Sequence, residues 1–158
     1  MRLLHYAAQP LPPALNARPQ EIEMKPRGLW VSVEGNDDWP SWCVGENFAL
    51  DSLSHVHEIT LAENASILRL STASEIAELT SDYACPLPGM PPHHYTRAYV
   101  MDWPRLAGQY DGLIIAPYMW SCRLDYLWYY GWDCASGCIW NPRAIAEHRL
   151  RPMLGVVT

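Results

Sequence analysis

The stretch WYYGWDCASGCIWNP, Trp128–Pro142, holds three tryptophans, two tyrosines, two cysteines, an aspartate and a serine in fifteen residues. A metal site, a redox pair, a ligand-binding strand and a packed core would each use such a crowd. The cysteine spacing is the first discriminator. Cys134 and Cys138 stand as C-x3-C, with Cys122 upstream and His93-His94 far off in a proline-rich segment. Structural zinc is usually held by two close pairs of Cys or His at knuckle spacing, and only one loose pair is present. A redox pair wants C-x-x-C at a helix N-terminus, which is absent. A cysteine nucleophile wants a neighbouring histidine base, and His148 follows only on the next element. No metal is expected. Cys138 and Ile139 then read as core positions of a late strand, SGCIW. Asn141 and Pro142 supply an N-cap and a first helical residue, so a helix is expected over NPRAIAEHRL. Asp133 and Ser136 are the polar residues at the mouth of that strand.

Upstream, YDGLIIAP reads as a buried strand. KPRGLWVSV, residues 25–33, reads as a strand with Leu29, Val31 and Val33 on one face and Trp30 and Ser32 on the other. RLLHYA forms a short first strand. A Pro-rich connection over 9–20 follows it. Asp38 caps a helix starting near Trp39-Pro40 and running through SWCVGENFAL. SHVHEITL and ASILRLS are two more strands. TASEIAEL opens with a capping box, Thr72 to Glu75, and continues as a helix. DWPRLAGQY is a short capped helix. Residues 84–97, ACPLPGMPPHHYTR, form a long proline-dense loop, a candidate lid. Short strands with a few helices in irregular order predict an α+β chain rather than a regular βαβ alternation.

The 158 residues predict a single domain, 1–158. About half are hydrophobic (49%) and only 18% charged, which is a globular composition and not that of a disordered chain. The net charge is −6, and no short window gathers more than two Lys or Arg, so a broad nucleic-acid footprint is not apparent. No apolar run reaches the roughly 18 residues of a membrane span. The start MRLLHYAAQPLPP lacks the apolar core of a signal peptide. Five cysteines without a secretory pattern predict a reduced, cytoplasmic chain. Eight tryptophans and nine tyrosines against one phenylalanine favour side chains with a polar handle, suited to pockets and interfaces as well as cores.

The chemistry-bearing residues are spread over three strands. His5 lies in the first, Ser32 beside Trp30 in the second, and Asp133 with Ser136 at the entry to the last. A histidine, an aromatic face and a carboxylate converging in a cleft could hold a nucleotide and polarise its ribose. The segments LLHYA, GLWVS and CIWNPRAI resemble the ADP-ribosyltransferase superfold. That resemblance implies an α+β domain of short mixed and antiparallel strands in two packed sheets, with NAD as substrate. It implies that His5 contacts a ribose, that Trp30 stacks on nicotinamide and that Ser32 is the second-strand hydroxyl. The glutamate of that superfold would fall near Ser136, where this chain has none. Asp133, three residues earlier, and Glu46, on the first helix, are the carboxylates left for the catalytic role.

The segments KPRGLWVS and YDGLIIAPY, together with WYYGWDCASGCIW, also resemble a family of small uncharacterised proteins of bacteriophages and their hosts. This second resemblance implies a phage-encoded protein acting on a host or defence protein. Two functions are therefore expected. One is mono-ADP-ribosyl transfer from NAD to a macromolecule, with a nucleic-acid acceptor left open. The other is a non-catalytic inhibitor that binds a host or defence protein by surface complementarity. A thermal-shift titration with NAD separates them.

Overall fold

The computed structural model describes residues 1–86, 89 and 99–152. Its α+β architecture is built on a seven-stranded sheet and a three-stranded sheet. In chain order the strands are β1 (Leu3–Ala7), β2 (Ile22–Glu23), β3 (Leu29–Val33), β4 (His55–Leu61), β5 (Ile67–Leu70), β6 (Ala84–Pro86), β7 (Tyr99–Asp102), β8 (Gly112–Ile115), β9 (Ser136–Ile139) and β10 (Ile145–Leu150). The helices are α1 (Trp39–Glu46), α2 (Ala73–Tyr83), α3 (Trp103–Ala107) and α4 (Leu127–Tyr130). No helix among the described residues is long and apolar enough to cross a membrane.

The large sheet runs β10-β4-β1-β3-β9-β8-β5, and the small one β2-β7-β6. Every pairing is antiparallel except β5 with β8, which α2, β6, β7 and α3 connect as a crossover. Antiparallel partners that face each other share a side of the sheet. Ser32 opposes Ser136, and Trp30 opposes Cys138. Cys138 in turn opposes Leu113. This side packs on the larger core, which gathers Leu113, Ile115 and Cys138 with Trp103, Trp128, Tyr129, Trp132 and Ile76 of α2. The other side carries Leu3, Val31, Ile59 and Ile114, with Leu11 of the Pro-rich connection laid against them. All four residues of β8 are buried, because the sheet is covered on both sides there.

The local signals act where they were expected at three helix starts. Asp38 accepts from the Ser41 N–H at 3.0 Å, and Pro40 sits in the first turn of α1. Thr72 and Glu75 close the capping box of α2. Asp102 accepts from the Arg105 N–H at the start of α3. The strand expected over 25–33 begins only at Leu29, past Pro26 and Gly28, and from there its faces divide as the alternation predicts.

Three further expectations are corrected. The helix expected over NPRAIAEHRL is a single 3-10 turn, Pro142–Ala144, followed by strand β10. Asn141 does cap, accepting from the Arg143 N–H at 3.2 Å. Ile145–Leu150 then pairs antiparallel with β4, which without it would be an unpaired edge. His148 therefore belongs to a strand and not to a helix. Helix α1 ends at Glu46, short of Leu50. Asn47 and Ala49 both take left-handed backbone, with φ of 50° and 47°, which no α-helix tolerates. The segment expected as a loop from 84 begins as strand β6. Its remainder, the candidate lid, lies outside the described residues apart from Gly89.

Candidate functional site

Strands β1, β3 and β9 are consecutive in the sheet although far apart in sequence. Beside them a cavity of about 300 Å³ opens, bordered by residues of β1, β3 and β9, the 131–134 turn, Trp39 of α1, and Ala49 and Ser52. His5, Trp30, Ser32, Asp133 and Ser136 all border it. Glu46 does not: it is the exposed last residue of α1. Five of the six residues singled out from sequence therefore share one site, and the carboxylate among them is Asp133.

The walls are aromatic. Trp30 and Trp132 meet edge to face with centroids 4.8 Å apart. Trp132 is buried, its Nε1–H has no hydrogen-bond partner among the described residues, and it stands edge-on to Trp128 as well. Trp39 stacks on Trp42 at 5.3 Å, and Phe48 closes on both. Tyr6 completes the lining, its hydroxyl pKa raised by burial and by Asp38 and Glu34.

The polar groups are already partly committed. The Ser32 hydroxyl accepts from the Trp39 N–H at 2.9 Å, which ties β3 to the start of α1 and leaves its own hydrogen to donate. The Ser136 hydroxyl donates to the Cys134 carbonyl at 2.9 Å. Ser52 donates to the Ala49 carbonyl at 2.6 Å. Asp133 accepts from Arg123 at 3.1 Å, and the same guanidinium donates to the Tyr118 hydroxyl at 2.8 Å and lies 5.1 Å from the Tyr130 ring centroid. Asp133 thus holds one oxygen against a cation and leaves the other uncommitted.

His5 differs from its companions. It opposes His57 across β1 and β4, so its side chain leaves the sheet on the side opposite Trp30, Ser32 and Ser136. The β1–β3 ladder stops at Leu4 and Ser32. There the His5 Nδ1–H takes the Trp30 carbonyl at 2.7 Å, in place of a backbone N–H. A carbonyl only accepts, so neutral His5 keeps Nε2 as its acceptor. Burial holds the His5 pKa below its ordinary value, against the opposing pull of the Trp30 carbonyl. His5 therefore borders the cavity from the seam between two strands.

The cysteines do not form a reactive pair. Burial pushes the Cys134 thiol up to about 12 and raises Cys138 further. Cys138 points into the larger core, its sulfur 3.7 Å from the Pro26 carbonyl. Among the described residues, no three of His, Cys, Asp and Glu converge as a metal would need.

Among the lining residues not singled out from sequence are Tyr6, Lys25, Trp39 and Trp132. Lys25 had a signal, being the only lysine in the chain. Its ammonium lies 5.4 Å from the centroid of Trp30. Tyr6 alternates with Leu4 on β1, so it faces the same side as Trp30. Trp39 and Trp132 carried no signal that separates a cavity wall from a core tryptophan. Comparison with protein-family models, with curated proteins and with solved structures returns no match for this chain.

Proposed function

We propose that this protein binds the nicotinamide-ribose half of NAD, or a nucleotide of similar size, in the cavity beside β1, β3 and β9. The observation that carries the reading is the convergence of Trp30, Ser32, Asp133, Ser136 and His5 on one aromatic-walled space. Its volume of about 300 Å³ stands at the lower end of small-molecule sites, so it suits one nucleoside unit rather than a whole dinucleotide. A flat ring would pack on Trp30 and Trp132. Ribose hydroxyls would meet the Ser32 hydrogen and the uncommitted oxygen of Asp133, with His5 at the edge of the space.

The activity this would serve is transfer of ADP-ribose from NAD. Departure of nicotinamide leaves positive charge on the ribose, and a carboxylate facing that carbon stabilises it. Asp133 is the residue for that role, and its field is reduced by Arg123 at 3.1 Å. The test is a thermal-shift titration with NAD and nicotinamide mononucleotide, paired with an assay for released nicotinamide. A ligand at a hundred times its Kd stabilises by about 2.7 kcal/mol. No shift with millimolar NAD or mononucleotide sinks the binding reading. Binding without nicotinamide release, in the presence of a cell extract as acceptor, sinks the transferase reading and leaves binding.

A second reading rests on a separate observation. Large apolar side chains are exposed on the two segments that flank the cavity: Val44, Phe48 and Leu50 on one, Trp120, Leu124 and Tyr130 on the other. The Trp120 Nε1–H reaches Asp37, next to α1, at 3.3 Å, which brings the segments together. An aromatic-rich surface of this kind suits docking to a protein, such as a host or defence protein. Its mark would be protein capture that survives Trp30→Ala and Asp133→Ala and fails with Trp120→Ala and Leu124→Asp.

A further inference from the structure

The geometry points to Lys25 as the anion-reading residue of the cavity, so that the preferred occupant is an aromatic base carrying a phosphate rather than the same nucleoside without one. This rests on the cavity being a nucleotide site. Lys25 is exposed, borders the cavity and is the single lysine among 158 residues.

Its position is built from both sides of the site. Pro26 follows it and is buried, which biases the Lys25 backbone toward extended conformations. The aliphatic stem lies across Gly131: a Cβ there would stand 3.5 Å from Lys25 Cγ, 3.6 Å from Cδ and 2.5 Å from Cε. A glycine at 131 is what lets the stem lie flat. The stem ends with its ammonium over Trp30, so the charge sits at the wall on which a base would stack.

No carboxylate neutralises it. Among the described residues Lys25 makes no ion pair. Glu23, two residues before it, accepts from Arg27 at 2.6 Å, and Asp133, on the cavity lining, has one oxygen on Arg123 at 3.1 Å. An exposed ammonium whose contact among the described residues is a ring face keeps its capacity for a charged acceptor. A cation–π contact at an exposed site is worth about 0.5–1 kcal/mol. A hydrogen bond to an anion is worth more, so a phosphate would draw the ammonium off Trp30 and free the ring for stacking. One lysine on a chain of net charge −6 cannot steer anions from a distance. It acts at contact, and the dependence on salt should be shallow.

The experiment uses the full chain and two probe pairs, nicotinamide riboside with its mononucleotide and adenosine with its 5′-monophosphate, plus inorganic phosphate alone. Calorimetry should give the mononucleotides about tenfold tighter binding than the matching nucleosides. Lys25→Met should remove that preference, while Lys25→Arg should retain most of it. Reductive methylation with labelled formaldehyde gives one side-chain dimethylammonium resonance. It should move further on adding a mononucleotide than on adding the matching nucleoside. Equal binding of nucleoside and nucleotide, unchanged by Lys25→Met, overturns the role of Lys25 and leaves the cavity reading standing. Binding of neither probe overturns the cavity reading itself. Phosphate binding as tightly as a mononucleotide shows a bare anion site and overturns the claim that base and phosphate are read together.

Discussion

Replacing Gly137 by alanine tests the centre of the sheet. Alanine in a strand ordinarily gains over glycine, because glycine loses more chain entropy on folding, by roughly 0.5–1 kcal/mol. Here the sign should reverse. Gly137 lies on β9, between β3 and β8, opposite Val31 and Ile114. A Cβ at 137 would stand 2.6 Å from Ile114 Cγ1 and 2.6 Å from the Leu113 carbonyl oxygen. The Ile114 side chain can shift. The Leu113 carbonyl belongs to a buried strand and cannot do so without moving β8. Overpacking of this kind costs about 1–3 kcal/mol, and a backbone clash belongs at the upper end. Subtracting the entropy gain leaves about 2 kcal/mol of destabilisation. A chain of this size changes Tm by about 2–4 °C per kcal/mol, so the loss should be about 4–8 °C. Urea melts followed by circular dichroism and by tryptophan fluorescence measure it. Gly35→Ala is the control: nothing lies within 4 Å of its Cβ and it lacks a positive φ, so it should be neutral or slightly stabilising. If Gly137→Ala is as stable as Gly35→Ala, β9 does not lie between β3 and β8 in this register.

Two further outcomes follow from buried polar groups. Trp128 is fully buried, and its Nε1–H donates to the Thr80 hydroxyl at 2.9 Å, which itself donates to the Ile76 carbonyl at 2.7 Å. Thr80→Val should strand the indole donor and cost about 1–3 kcal/mol by urea melt, whereas Thr80→Ser should keep most of the stability. Burial lowers the pKa of both His57 and His5, so the unfolded chain binds more protons than the folded one below about pH 6.5. Stability should be flat in this respect above that pH and fall as pH drops through it toward the lowered values. The effect would be read as a falling urea midpoint between pH 7.5 and 5. His57→Gln should flatten the fall, and an unchanged slope in that variant would remove His57 from the account.

The sequence was legible where one residue does one local job. Asp38, Thr72 with Glu75, and Asp102 each sit beside the backbone groups they satisfy, so spacing alone reveals them. The alternation in LWVSV worked because that strand is buried on both faces by different clusters. Asn141-Pro142 misled because a helix start is a local statement, whereas continuation depends on what lies alongside. The backbone of Ile145–Leu150 found the open edge of β4, a partner more than eighty residues away in sequence. Strands β2, β6 and β7 have two to four residues, too few for any periodicity to register. The site divides along the same line. Trp30, Ser32 and Ser136 were readable as polar or aromatic residues on one face of predicted strands. Lys25 stood out only as the single lysine, and its place in the site depends on Gly131, which only the fold brings beneath its stem.

Asp133 is where structure bears hardest on function. A catalytic carboxylate should meet the substrate with its charge available, yet this one is bound to Arg123, which also holds Tyr118 and the ring of Tyr130. The pair is about one-fifth exposed on each side, so water screens it only in part. Such a pair reads as a staple between the 118–123 segment and the turn before β9. That staple fixes Trp132 and Cys134, the immediate neighbours of Asp133, at the cavity wall. Arg123→Gln separates the two roles. A catalytic Asp133 would be released by it and turnover from NAD would rise or hold, at some loss of stability. An Asp133 that only staples would lose its partner, the wall would loosen, and ligand affinity would fall alongside stability with no gain in turnover. Asp133→Asn should match Arg123→Gln in the second case and oppose it in the first, so the two variants assayed together decide the assignment.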